Sequence, residues 1–212
     1  MSIDKPAKPP IAERFRGFLP VVIDVETGGF NPNTDALLEI AGVVIEMQED
    51  GLLKRGQTWR YHIQPFEGAN LEAASLAVNG IDPFHPLRLA LPEPEALTRL
   101  FGEIRRAVKD NGCNRAVLVG HNAYFDLNFL NAAVTRCDIK RNPFHPFSCF
   151  DTATLGGVAF GQTVLAKLAM TAGIPWNSSE AHSAAYDAEV TADLFCLICN
   201  RFKGMYDAPS IG

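Results

Sequence analysis

The stretch LPVVIDVETGGF (residues 19–30) decides how this chain is read. It is dense in β-branched residues, which suit a pleated strand, and it stops at Thr27-Gly28-Gly29. Two carboxylates, Asp24 and Glu26, interrupt the apolar run. Residues i and i+2 of a strand share a face, so both acids point the same way. Two such charges in an apolar segment are costly unless something positive neutralises them. A hard divalent cation meets that need, because Mg²⁺ prefers carboxylate and water oxygens. Taken alone, the pair is weak evidence for a metal site, and two acids on an edge strand facing water are the alternative.

Working outward, LLEIAGVVIEM (37–47) reads as a second strand, followed by a turn at Glu49-Asp50-Gly51 and a third strand in GQTWRYHIQP (56–65). Short connections between three successive strands predict an antiparallel meander. Asn79-Gly80 ends the next segment in a turn. Apolar residues at helical spacing (Leu97, Leu100, Phe101, Ile104, Val108) predict a helix over 95–109. AVLVG (116–120) has the continuous apolar character of a buried strand, and Asn122 suits the N-cap of a helix reaching Arg136. RNPFHPFSCFD (141–151) reads as a Pro-rich loop entering a short strand at 149–151, and helical patterns cover 152–159, 163–172 and 183–202. This order predicts one α/β domain with a mixed sheet over residues 13–205. Residues 1–12 read as a flexible lead-in and 206–212 as a tail.

Bulk properties narrow the class. Of 212 residues, 47% are hydrophobic and 20% charged, which is enough apolar material for a sizeable core. No apolar run reaches the roughly 20 residues that span a bilayer, and the N-terminus lacks the apolar segment of a secretory signal. A cytoplasmic protein with no membrane partner is expected. Cys196 and Cys199 form a C-x-x-C within an apolar helical run and read as buried thiols rather than a redox or zinc pair. The net charge of −5 argues at first against a phosphate-bearing partner, yet acids gathered round metal ions would be neutralised there.

Two further segments add acids. In GHNAYFDLNFL (120–130), Asp126 falls about one turn into its helix, near the end of the preceding strand, where α/β folds commonly bind ligands. It could equally be a first-turn acid facing the helix dipole. In AHSAAYDAEVTADLF (181–195), His182 and Asp187 would stand about 140° apart on a continuous helix. They converge only if the helix begins between them, with Ser183 as its N-cap and Asp187 in its second turn.

The Asp-x-Glu strand, the later helical Asp and the His-x-x-x-x-Asp occur in the order of the DEDDh exonuclease superfamily, which the chain resembles. ERFRGFLPVVIDVETGGF, TDALLEIAGV, NGIDP, GCNRAVLVGHNAYFD, KRNPFHPF and GQTVLAK narrow the resemblance to the ribonuclease T family, over about residues 13–203. The resemblance implies an RNase H-like three-layer fold. It also implies a homodimer that trims RNA 3′ ends, in tRNA 3′-terminal turnover and in the maturation of tRNA and other small stable RNAs, and that degrades single-stranded DNA ends. It assigns two Mg²⁺ ions, with Mn²⁺ as a substitute, to Asp24, Glu26, Asp126, Asp187 and His182, and makes His182 the general base.

For substrate, the resemblance favours Phe30, Phe125 and Phe147 as rings that grip terminal bases. Core packing is the expectation for Phe144. Arg14, Arg16, Arg115, Lys140 and Arg141 are the candidates for a basic patch that feeds the partner subunit. Where the family leads one to expect Glu near 74 and Phe near 78, this chain has Ala74 and Val78, with Glu72 close by. Base preference is therefore expected to depart from the family's. The competing readings are another DEDDh exonuclease (an oligoribonuclease or a polymerase proofreading subunit), a catalytically silent nucleic-acid-binding module, and a structural metal-binding protein.

Overall fold

A computed structural model describes residues 10–207. The first three strands, β1 (Phe18–Thr27), β2 (Leu37–Met47) and β3 (Leu53–His62), form the expected antiparallel meander. β4 (Arg115–Gly120) and β5 (Phe144–Asp151) then add in parallel, giving the order β3-β2-β1-β4-β5. Among the described residues the helices are α1 (Pro10–Arg14), α2 (Ala73–Asn79), α3 (Glu93–Asp110), α4 (Tyr124–Arg136), α5 (Thr152–Phe160), α6 (Leu165–Ala172), α7 (Ala184–Arg201) and α8 (Lys203–Tyr206).

Alternation along β1 sorts the layers. Leu19, Val21, Ile23 and Val25 face α3 and α4, against Leu97, Leu100, Phe101, Leu127 and Leu130. Val22 faces the other way, against Ala184, Ala188 and Ala192 of α7. Alanines at i, i+4 and i+8 let the α7 backbone come close to the sheet. Asp24 and Glu26 continue the Val22 row, so the period of two carries both acids onto the α7 face. The mixed sheet between two helical layers is the α/β arrangement read from the element order and the RNase H-like architecture that the resemblance implies.

The structure changes several local expectations. Ile11 and Ala12, expected in the lead-in, are buried in and beside α1, so the folded unit begins before residue 13. Residues 1–9 of that lead-in and 208–212 of the expected tail lie outside the described residues, while Tyr206 belongs to α8. The turn at Asn79-Gly80 closes a helix, α2, with Gly80 at φ +66. Strand β5 reaches back to Phe144 through the expected Pro-rich loop. Its pairing jumps from Ala116↔Phe144 to Leu118↔Cys149, and the resulting bulge on an edge strand tolerates Pro146, which has no N–H to donate. Cys196 is buried on α7 and Cys199 half-buried beside it, and both are free thiols, as expected. Among the described residues no single helix is long and apolar enough to cross a membrane.

Candidate active site

The site is built where β1 ends against the start of α7. Asp24 and Glu26 project from β1 toward that helix, and Asp126 arrives from the first turn of α4. Asn122 does not cap α4 as expected. It sits at φ +63 with its N–H donating to Asp151 Oδ1 at 2.8 Å, and Ala123 takes the cap position. Asp151 thus anchors the β4–α4 turn while it caps α5 through the Ala153 and Thr154 N–H groups. Asp126 is 4% exposed, and its Oδ1 accepts the Val25 N–H at 3.1 Å, which ties α4 to the acidic strand.

The helix α7 begins between His182 and Asp187, as their convergence requires. Asp187 lies in its first turn rather than its second, and Ser183 occupies the N-cap without a side-chain capping bond. His182 has φ +65, and its N–H donates to Asp187 Oδ2 at 3.1 Å. One ligand atom each from Glu26, His182 and Asp187 lie within 4.8 Å of one another. The other Asp187 oxygen, Oδ1, is buried with no hydrogen-bond partner. A buried carboxylate oxygen left bare is costly in water-free surroundings and fits a cation ligand.

Electrostatics supports the same reading. Burial pushes the Asp24 carboxyl well above the usual carboxylate range, and the charges of Asp126, Glu26, Asp187 and Glu39 raise it further. Glu26 is pushed up to about 8, by burial first and then by Asp187, Glu39 and Asp126. Asp126 is also pushed up to about 8 by burial, which outweighs its backbone hydrogen bonds. Asp187 is raised by burial, with the His182 N–H pulling the other way. Burial and mutual repulsion thus raise the proton affinity of all four acids, and a bound cation would oppose that shift.

The residues of the exonuclease family RNase_T match this chain over 21–195. The chain belongs to that exonuclease family. It is 61% identical to ribonuclease T of Marinobacter nauticus over 99% of this chain and 95% of that one. It is also 61% identical to ribonuclease T of Hahella chejuensis, over 92% of this chain and 90% of that one. The chain is thus a hydrolytic 3′-to-5′ exonuclease. Its fold is similar to that of E. coli exonuclease I in complex with a dT13 oligonucleotide (TM-score 0.69, 17% identity, 90% of this chain), although the chain spans only 43% of that protein.

The expected substrate residues divide. Phe30 is 78% exposed, and its ring stands 6.2 Å from that of Phe125, edge to face. Both line a cavity of about 250 Å³ beside Glu26, closed by Ala74, Ser75 and Val78 of α2. The Phe30 turn is fixed by Asp35, which is buried and held ionised below its usual range; burial opposes this, but hydrogen bonds from the Asn31 and Phe30 N–H groups, Thr34 and Asn70 prevail. A side chain at Gly29 would collide with that carboxylate. Phe147 is 77% exposed in the β5 bulge, stacked edge-on with His145, and is not among the residues lining this cavity. Phe144 is buried in the core, as expected.

Of the basic candidates, Arg16, Arg115, Lys140 and Arg141 are exposed, with Lys140 paired to Asp138. Arg14 is committed elsewhere. It donates to the Cys199 carbonyl at 2.8 Å and the Gly51 carbonyl at 3.3 Å, so it ties α1 to the end of α7 rather than facing solvent with the others. The sequence reading missed Glu39, an acid set in the apolar part of strand β2. The cost argument applied to Asp24 would have marked it equally well.

Proposed function

We infer that this exonuclease removes nucleotides one at a time from single-stranded RNA 3′ ends by metal-assisted phosphodiester hydrolysis. The observation that carries the reading is the convergence of Glu26, His182 and Asp187 beside Asp24 and Asp126, with Asp187 Oδ1 bare. Asp24, Glu26, Asp126 and Asp187, with His182 at the rim, would hold two Mg²⁺ ions or Mn²⁺ in their place. When bound, such a pair lowers the pKa of water and stabilises charge on the reacting phosphate.

The chain's own groups supply the rest. His182 is exposed on a turn rather than packed in the core, so its ring can reach a water in the site and accept its proton. The Asp187 carboxylate holds the backbone of that turn. Phe30 and Phe125 stack on terminal bases; such contacts are worth about 1–3 kcal/mol per base and tolerate any base. Because Ala74 and Val78 offer that cavity neither a charge nor an aromatic ring, terminal-base discrimination is weak.

The relatives' name supports RNA as substrate, and tRNA 3′-terminal turnover and small stable RNA maturation are the roles proposed for it. The exonuclease I–dT13 complex supports single-stranded DNA ends as a second substrate. A cytoplasmic homodimer, in which Arg16, Arg115, Lys140 and Arg141 of one subunit feed the other's site, completes the proposal. The test is to incubate 5′-labelled tRNA and single-stranded DNA with the protein in Mg²⁺ or in EDTA. Stepwise shortening from the 3′ end, only with metal, is expected. Internal cuts, or no cuts with Mg²⁺ present, would refute the reading.

A further inference from the structure

We propose that Glu39 is a positioning residue for the hydrolytic step, holding from β2 the turn that aims His182. The inference rests on reading His182 as the base. Glu39 is 2% exposed and stands between Glu26 on β1 and His62 on β3 in the strand register, so the three side chains form a row on the α7 face. Its two oxygens do different things. Oε1 accepts the N–H of Ala184, the first residue of α7, at 3.0 Å. Oε2 lies 2.9 Å from Arg60 Nη2 and 2.9 Å from His62 Nδ1.

Ser183 makes no capping bond, and Glu39 reaches from a distant strand to accept one of the N–H groups left open at the helix start. His182 sits two residues before Ala184 in a left-handed conformation uncommon outside glycine. Two carboxylates therefore pin this turn at both ends, Asp187 at the His182 N–H and Glu39 at the Ala184 N–H. Arg60 keeps the buried Glu39 compensated without drawing its other oxygen away from Ala184. Glu39 makes no hydrogen bond to the residues assigned to the chemistry; its charge also bears on Asp24 and Glu26, but Ala184→Pro keeps that charge and isolates the effect exerted through the turn.

Two substitutions separate this role from a general contribution to folding. Glu39→Gln keeps the volume but has one carbonyl oxygen, which can serve Ala184 or the Arg60–His62 pair but not both. Ala184→Pro removes the N–H itself at the first helical position, where proline is well tolerated. Each is assayed on 5′-labelled single-stranded RNA at saturating Mg²⁺, alone and combined with His182→Ala, with thermal melts to confirm folding. A displaced base costs up to ~10²-fold in rate, so each variant is expected to lose about tenfold in kcat with KM changed less than about twofold. In the His182→Ala background Ala184→Pro should add less than about twofold, because nothing remains to be positioned. A loss that multiplies when Ala184→Pro is added to His182→Ala, or full kcat in both single variants while His182→Ala is impaired, overturns the positioning role alone. Full turnover by His182→Ala overturns the base assignment and this inference with it.

Discussion

Replacing Asp126 by Asn should stabilise the metal-free protein at alkaline pH while disabling it. Asp126 is 4% exposed, and its carboxyl is pushed up to about 8 by burial. An acid whose folded pKa exceeds its unfolded one binds more protons in the folded state, so stability is lost as pH rises from about 4 toward about 8. Each unit is worth about 1.4 kcal/mol, which sets a ceiling of about 6 kcal/mol on this cost. Side-chain relaxation and entering water screen part of it, leaving an expected gain of about 2 kcal/mol for Asn, or roughly 4–8 °C in Tm. The asparagine carbonyl can still accept the Val25 N–H, so that tie survives. The assay is thermal unfolding of both proteins in EDTA from pH 4.5 to 8.5, with exonuclease activity measured in Mg²⁺. The two should melt together near pH 4.5 and diverge toward pH 8, with activity down at least about 10²-fold, more than outer ligand partners typically cost. An Asn variant melting at or below wild type at pH 8, or a difference that ignores pH, would refute the reasoning.

Mg²⁺ at about 100 times its dissociation constant should raise the wild-type Tm by roughly 5–11 °C, and by more at pH 8 than at pH 5.5, where protons hold the same carboxylates. A Tm indifferent to the ion at pH 8 counts against the site. His182→Ala should lower kcat by about 10²–10⁴ with little change in Tm, and unaltered turnover would remove it from the chemistry. Phe30→Ala should raise KM for single-stranded substrate by about 5- to 150-fold, whereas an unchanged KM would leave the exposed ring without a role. Arg14→Ala should lower Tm by a few degrees through the lost carbonyl bonds, while Arg115→Ala should leave Tm alone and reduce the salt slope of binding by about 0.7. The reverse pattern would mean that Arg14 belongs to the basic patch.

The meander, the buried fourth strand and the facing of Asp24 and Glu26 were legible in the sequence because each depends on local periodicity and on the cost of charge in an apolar run. The family's motif order extended that reading to Asp126 and His182, whose segments taken alone fit surface roles equally well. Other features depend on partners far along the chain. Arg14 looks like any surface cation until Cys199 is seen 185 residues later to accept its hydrogen bond. Asn122 has the composition of a cap, but the Asp151 carboxylate draws its N–H into a left-handed turn instead. Pro146 marks a loop by local rules, and only its place on a bulged edge strand admits it to the sheet. The sequence by itself determined that Asp24 and Glu26 share one face of β1, since strand period and desolvation cost are properties of neighbouring residues. Tertiary structure decided where α7 starts and what aims His182, because the Glu39 and Asp187 carboxylates that hold that turn act through bonds no local pattern encodes.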